Sequence, residues 1–345
     1  MIITWLKLAW NAVAYFLLGL VVMFTGGGVF RCISQAVKGE DVITRTGLPA
    51  YEASLPGAKI HFLATSGGDA ILLESDGHFA MVDCAEDSDY PADKPGLKGP
   101  GYEKYVLDYV KRVAAGPGGK VVLDFVLGTH AHSDHIGGFN TLLLDPDVTA
   151  KKAFLQRYSA KGMNKSELSW DNTEVYQQML DVCVAKDIPL VQDMPAEPFQ
   201  LGAFTITILS GCDPPLLRMV NAGDENANSL GLLVEASGRR AFLAGDITWT
   251  SGSEMLLCGK IGKVDLLKVG HHGYAGSTGI PFAVALRPKL AVYTAWAGCV
   301  PPARFILPLF ANSKQYITGD FGGIVAVFGN EVALYAIRDE PVKSP

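Results

Sequence analysis

From Lys59 onward the chain is a series of short apolar runs broken by turn residues. KIHFLAT (59–65), AILLES (70–75) and HFAMVDC (78–84) are separated by SGGD and by Ser75-Asp76-Gly77. Short runs joined by such turn signals predict an antiparallel meander. Tyr105, Val106, Tyr109, Val110 and Val113 then recur at helical spacing, and Gly116-Pro117-Gly118-Gly119 stops that helix. VVLDFVLG (121–128), rich in Val and Leu and broken only by Asp124, predicts one strand buried on both faces. A second helix is predicted from Asn172 to Lys186, preceded by a start signal at Ser169 or Asp171. Phe204, Ile206 and Ile208 alternate with Thr205, Thr207 and Leu209, the period of a strand. SLGLLVEA and RAFLAGD, joined through Ser237-Gly238, follow, then KVDLLKVG, KLAVYTA, KQYITG, GIVAVFG and EVALYAI. Helices and strands mixed in this way predict an α/β (α+β) body spanning 59–338, with 339–345 a polar tail.

The amino-terminal residues differ in kind. Leu8–Phe24 carries no charge, and TGGGVF prolongs the apolar stretch to Arg31. With Trp5, Trp10 and Tyr15 placed to suit a headgroup interface, residues 1–36 predict a hydrophobic helix that is a transmembrane or signal segment. Ser34-Gln35-Ala36 is a weak cleavage site, and a helix packed on the body is the plain alternative. The expected location is the cell membrane, single-pass, with the body extracytoplasmic, or alternatively secretion. Residues 37–58, mixing Pro, Gly and charge, read as a linker.

Of the 345 residues 49% are hydrophobic and 19% charged, enough apolar material for one large domain. The net charge of -6 gives no footprint for wrapping nucleic acid, although a local groove depends on where charges sit. Lys151, Lys152, Arg157, Lys161 and Lys165, near Phe154 and Tyr158, are scattered candidates for such a track, or an ordinary solvated face. The six cysteines are widely spaced without a CxxC pair, so neither a zinc knuckle nor a disulfide framework is indicated.

Histidine changes the picture. Five of the seven, His130, His132, His135, His271 and His272, fall at the ends of two predicted strands. His61 and His78 lie inside meander strands, where an ordinary structural role is expected. The run after VVLDFVLG is THAHSDHIGG, which places Asp134 among three imidazoles; Gly137-Gly138 permits a tight turn beyond it. Apart from a His-rich surface loop, groups packed this densely need a cation, and a divalent metal is the usual solution. Asp83, Asp246 and the His271-His272 pair are likewise delivered as strands run out. Two divalent ions, zinc or manganese, are therefore expected: His130 and His132 on one, Asp134, His135 and His271 on the other, with Asp246 bridging. Asp134 also carries the catalytic expectation, and His272 is left free to orient substrate or donate a proton. The polar stretch 86–101 is long enough to cover a site.

HAHSDH, the later GD and HHG together resemble the metallo-β-lactamase superfamily, over roughly Lys59 to Ile337. GDAILLESDGHFAMVDC, NANSLGLLVEASGRRAFLAGD and VDLLKVGHHGYAGST are most similar to the metallo-hydrolase domain of ComEC-type competence proteins. The resemblance implies an αββα sandwich with metals at one edge, and gives Asp83 a supporting rather than a ligating role. Many members place a further histidine between the first motif and the bridging aspartate. This chain has none between His135 and His271, so Asn226, Asp224 or Asn228 must serve, or one ion is weakly held.

The expected chemistry is metal-assisted hydrolysis of a phosphodiester, in a small molecule or nucleic acid, with Ser277 and Thr278 binding phosphate oxygens. Hydrolysis of a lactone, thioester or β-lactam is the alternative enzyme; a non-catalytic DNA-uptake or binding component is the alternative class. No obligatory protein partner is indicated.

Overall fold

The computed structural model describes residues 2–25, 41–97, 99–210 and 223–341. Two sheets stack face to face. The first has eight strands in the order Val332–Ala336, Ile324–Phe328, Lys59–Phe62, Ala70–Ser75, His78–Cys84, Phe125–Gly128, Ala153–Leu155 and Leu190–Val191. The predicted meander forms its centre, antiparallel, with Ile60 opposite Leu73 and Ser75 opposite His78. The second has seven, in the order Lys314–Ile317, Leu290–Tyr293, Leu266–Lys268, Arg239–Leu243, Leu230–Ala236, Phe204–Ser210 and Phe199–Leu201.

Alternation along the strands explains the layering. Ile60, Phe62, Ile71 and Leu73 point inward and meet Phe204, Ile206, Leu232 and Val234 of the other sheet. The intervening Leu72, Met81 and Val126 point outward, onto helices Glu103–Ala114, Phe139–Leu144 and Asn172–Ala185. Phe242, Leu267 and Ala291 do the same on the second sheet, under helices Ser253–Ile261, Ile280–Leu286 and Ile306–Phe310. Residues of period two buried on both faces thus give the four-layer αββα sandwich.

VVLDFVLG is not one strand. Val121–Leu123 pairs with Val148–Ala150 in a separate two-stranded sheet, and Phe125–Gly128 joins the main one. Asp124 is the reason: its carboxylate leaves the apolar layer to meet His78 at 2.9 Å and Lys151 at 2.5 Å. Gly137 and Gly138 also differ from expectation, having ordinary helical backbone. They permit close packing instead, since a Cβ at Gly138 would lie 2.1 Å from the Cys84 carbonyl oxygen.

The expected linker, where described, is strapped to the body. Ile43 bridges to Gln315, Ala50 bridges to Ala336, and Arg45 reaches Asp320 at 2.7 Å. Residues 37–40 lie outside the described part, as do 342–345 of the expected tail.

The membrane expectation is corrected. Helix Ile2–Thr25 exists, but no helix among the described residues is long and apolar enough to cross a membrane. Part of the apolar surface of Ile2–Thr25 already has a protein partner: Tyr15 and Met23 pack on the outer-helix core, and a Cβ at Gly19 would sit 2.9 Å from Ile280 Cγ2. A single-pass location is therefore not supported. The Gly-rich extension, Arg31 and the Ser34-Gln35-Ala36 site lie outside the described residues.

Candidate metal centre

Strand Phe125–Gly128 ends at Thr129, and the chain turns over the sheet edge because Asp83 holds it there. Asp83 accepts from the Thr129 N–H at 2.7 Å and from its hydroxyl at 2.8 Å. Its Oδ2 also accepts the Nδ1–H of His135 at 2.8 Å. That bond fixes the tautomer and turns His135 Nε2 into the site, the part played by outer carboxylates in metal centres.

His135 Nε2 lies 3.2 Å from Asp246 Oδ2 and 3.8 Å from Asp134 Oδ2. His272 Nε2 lies 3.3 Å from Asp134 Oδ2 and 3.4 Å from Asp246 Oδ2. One atom each of Asp134, His135, Asp246 and His272 therefore falls within 4.8 Å of all the others. His272 and not His271 completes this group. The reason is local: both residues take left-handed backbone, φ 48° and 51°, and the Thr294 carbonyl accepts the His272 Nδ1–H at 3.1 Å, aiming Nε2 inward. His271 lines the cleft instead, and its Nδ1 is buried without a hydrogen-bond partner.

Beside the group, His130 Nε2 faces His132 Nδ1 at 3.0 Å. The other nitrogen of His132 donates to Glu167 at 2.9 Å, so Nδ1 is the one left facing His130. Among the described residues no third His, Cys, Asp or Glu joins this pair. Of the three candidates from GDENANS, Asn226 has a buried Oδ1 with no partner and lines the cleft. Asp224 lines it too but caps the following turn through Asn226 N–H. Asn228 spends its amide on Glu225, whose other oxygen accepts the Ala131 N–H and so steadies the histidine loop.

The donor set fits a divalent cation. His135 Nε2, His272 Nε2 and Asp246 Oδ1 are buried without hydrogen-bond partners, a costly state that coordination relieves. Burial alone would lower the His135 and His272 pKa values, yet the carboxylates around them, Asp246 foremost, raise both well above the ordinary range. Burial lowers His130 well below it, with His135 and His132 adding to the effect. The cluster is thus negative enough to attract positive charge at the shared position.

Ser277 and Thr278 are placed elsewhere. Ser277 donates to the Tyr274 carbonyl at 2.8 Å, and the Thr278 N–H donates to Glu254, so both hold the loop and neither lines the cleft. Lys151 and Arg157 are spent on Asp124 and Asp193, and Lys152 on the rings of Phe154 and Phe199. His61 is structural as expected, bonded to Tyr109 at 2.8 Å and Glu74 at 2.9 Å, and His78 pairs with Asp124.

Sequence reading missed Asp69, Lys268 and Glu167. Asp69 accepts from Thr294 Oγ1 at 2.6 Å and pairs with the fully buried Lys268, whose Nζ donates to the Gly245 carbonyl at 2.9 Å. A lone Lys inside the apolar run KVDLLKVG was a legible signal for that pair. Glu167 sits in a polar loop and had none.

A cleft of about 660 Å³ opens over the group. Its rim includes Glu86, Leu97, Gly99 and Pro100, from the long polar stretch.

Residues 108–275, which hold both histidine motifs and Asp246, match the model of the beta-lactamase superfamily domain. The chain is 29% identical over 173 residues to ComE operon protein 3 of Bacillus subtilis, covering 50% of this chain and 20% of that protein. It thus spans about a fifth of that relative's length. Among solved structures it is similar to the metallo-beta-lactamase fold protein YhfI from Bacillus subtilis, with 15% identity, 78% and 99% of the two chains covered and a TM-score of 0.47. The isothiocyanate hydrolase from Delia radicum gut bacteria has 17% identity, 79% and 99% coverage and a TM-score of 0.46. Over residues 108–275 the chain is therefore similar to the beta-lactamase superfamily domain, and a four-layer αββα sandwich carries the matched motifs.

Proposed function

We propose that this chain is a metal-dependent hydrolase acting on a single phosphodiester. The observation that carries the reading is the convergence of Asp134, His135, Asp246 and His272 on one position at the floor of an open cleft. These four would hold one ion, and His130 Nε2 and His132 Nδ1, with Asn226 Oδ1 nearest in character to a third donor, would hold the other. Bound zinc or manganese lowers the pKa of water and stabilises charge developing on the attacked centre.

The chain's own residues do the rest. Asp83 and Thr294 fix the imidazole tautomers of His135 and His272, so their Nε2 atoms need no reorganisation during turnover. Glu167 does the same for His132. His271, which lines the cleft and whose Nδ1 has no hydrogen-bond partner, takes the role expected of its neighbour: it orients substrate or passes a proton to the leaving oxygen.

No Lys or Arg lines the cleft among the described residues. That favours a substrate with one anionic centre over a nucleic-acid strand, whose flanking phosphates need cations. It equally favours a second reading, hydrolysis of an uncharged lactone, thioester or β-lactam. The test is hydrolysis of bis-p-nitrophenyl phosphate, single-stranded DNA and a lactone and thioester set by the manganese- or zinc-loaded chain. Turnover of the phosphodiester is expected. Turnover of lactone or thioester alone selects the second reading, and metal binding without any turnover leaves a binding component.

A further inference from the structure

The walls of the cleft are acidic and aromatic. Glu86, Asp134, Glu167, Asp224 and Asp246 line it. The nearby Lys94 is occupied, its Nζ donating to the Trp170 carbonyl at 2.7 Å and to Glu174 at 3.1 Å. Ions bound at the floor would offset the carboxylates that hold them, and among the described residues no Lys or Arg in the lining answers a second anionic group.

Tyr274 follows directly on the histidine pair. Its ring centroid lies 5.5 Å from that of His271 and 6.1 Å from that of His272. The Trp296 ring lies 6.2 Å from that of Tyr274, tilted at 42°. Trp296 is 45% exposed and Tyr274 37%, so the two neighbouring rings both present surface to solvent. The Trp296 loop is nevertheless held firmly. Thr294, at one end, accepts from His272, and the Gly298 N–H donates to Asp320 at 2.7 Å. Arg45 ties Asp320 to the Cys299 carbonyl, at 2.7 and 2.9 Å. A rigid aromatic pair, referenced to the metal group through Thr294, loses little entropy on binding a flat partner.

We propose that Tyr274 and Trp296 form an aromatic subsite that stacks on a flat, uncharged group of the substrate beside the bond being cleaved. The proposal rests on the hydrolase reading for its word substrate, but the subsite itself can be tested without turnover. Phenylphosphonate and methylphosphonate carry the same anionic head for the metals and differ only in the ring. Their affinities for the manganese-loaded full chain are compared by titration calorimetry, in wild type, Trp296→Ala and Tyr274→Leu.

Wild type is expected to bind phenylphosphonate on the order of tenfold more tightly, the size of one ring-stacking contact. Trp296→Ala is expected to erase that preference and leave methylphosphonate binding unchanged. Equal affinities in wild type, or a preference that survives both substitutions, overturn the subsite. Failure of the hydrolase reading looks different: the ring preference is then present while no ester is turned over. Trp296 is a surface residue, so its truncation leaves the fold intact, and unchanged methylphosphonate binding verifies this within the same experiment.

Discussion

Asp83 accepts the Nδ1–H of His135 at 2.8 Å, and this one bond decides which nitrogen of the imidazole faces Asp134 and Asp246. Asp83 itself has φ +55°, a conformation that Asn tolerates. Asp83→Asn therefore keeps the backbone and weakens the hold on the tautomer. Metal affinity is expected to fall about 10–100-fold, as for other outer carboxylates. Titration calorimetry with manganese checks it, and unchanged affinity would falsify the role given to Asp83.

Removing an inner residue costs more. Asp134→Ala and His132→Ala are each expected to lower hydrolysis by more than the roughly hundredfold loss typical of an outer residue, with the circular dichroism spectrum retained. Full turnover in both variants would dismiss the two-ion assignment.

The two positions are unequal. Four side chains converge on one, whereas only two imidazoles meet at the other among the described residues. Titration of metal-free protein is expected to show a tight first ion and a weaker second. His272→Ala is expected to remove the tight phase and His130→Ala the weak one. Asn226→His, which supplies a third nitrogen donor, is expected to strengthen the weak phase; two equal phases in wild type contradict the assignment.

Under the centre, Asp69 and Lys268 are both fully buried. Burial pushes the Asp69 carboxyl up, but the Lys268 ammonium and His272 outweigh it and hold it well below the usual carboxylate range. Lys268→Met strands that charge and is expected to cost about 3–5 kcal/mol. Adding Asp69→Asn to Lys268→Met should recover part of the loss, measured by urea unfolding in chelator. Additive losses would show that the two residues do not act as a pair.

His61 provides a pH signature away from the metals. Burial lowers its pKa, and Glu74 only partly offsets this. The folded value lies below the unfolded one of about 6.5, so the unfolded chain binds more protons and folding stability falls as pH drops through and below that value. In chelator, unfolding free energy should decline between pH 7 and 5 more steeply for wild type than for His61→Gln. Equal slopes would mean that His61 titrates alike in both states.

Much of this molecule was legible before any coordinates. The continuous apolar run in AILLES reports a strand buried on both faces, and the alternation in FTITIL a strand with one fully buried face, because side-chain direction in a strand is fixed by the backbone alone. The histidine motifs announced the candidate metal centre, since so many imidazoles beside carboxylates have no inexpensive solution without a cation. The apolar amino-terminal run gave its helix but not its surroundings. Hydropathy reports a need for burial, and a helix layer of the same chain meets part of that need.

What the tertiary structure alone decided are the matters of direction and of distant pairing. His271 and His272 are neighbours of identical chemistry, and only Thr294, reached through a separate strand, determines which of them looks inward. Asp69 and Lys268 are almost two hundred residues apart in the chain and touch beneath the centre. Ser277 and Thr278 lie beside the motif in sequence but turn away from the cleft, because Tyr274 and Glu254 claim them. Sequence fixes which groups must find partners; the packing of the two sheets fixes which partners are within reach.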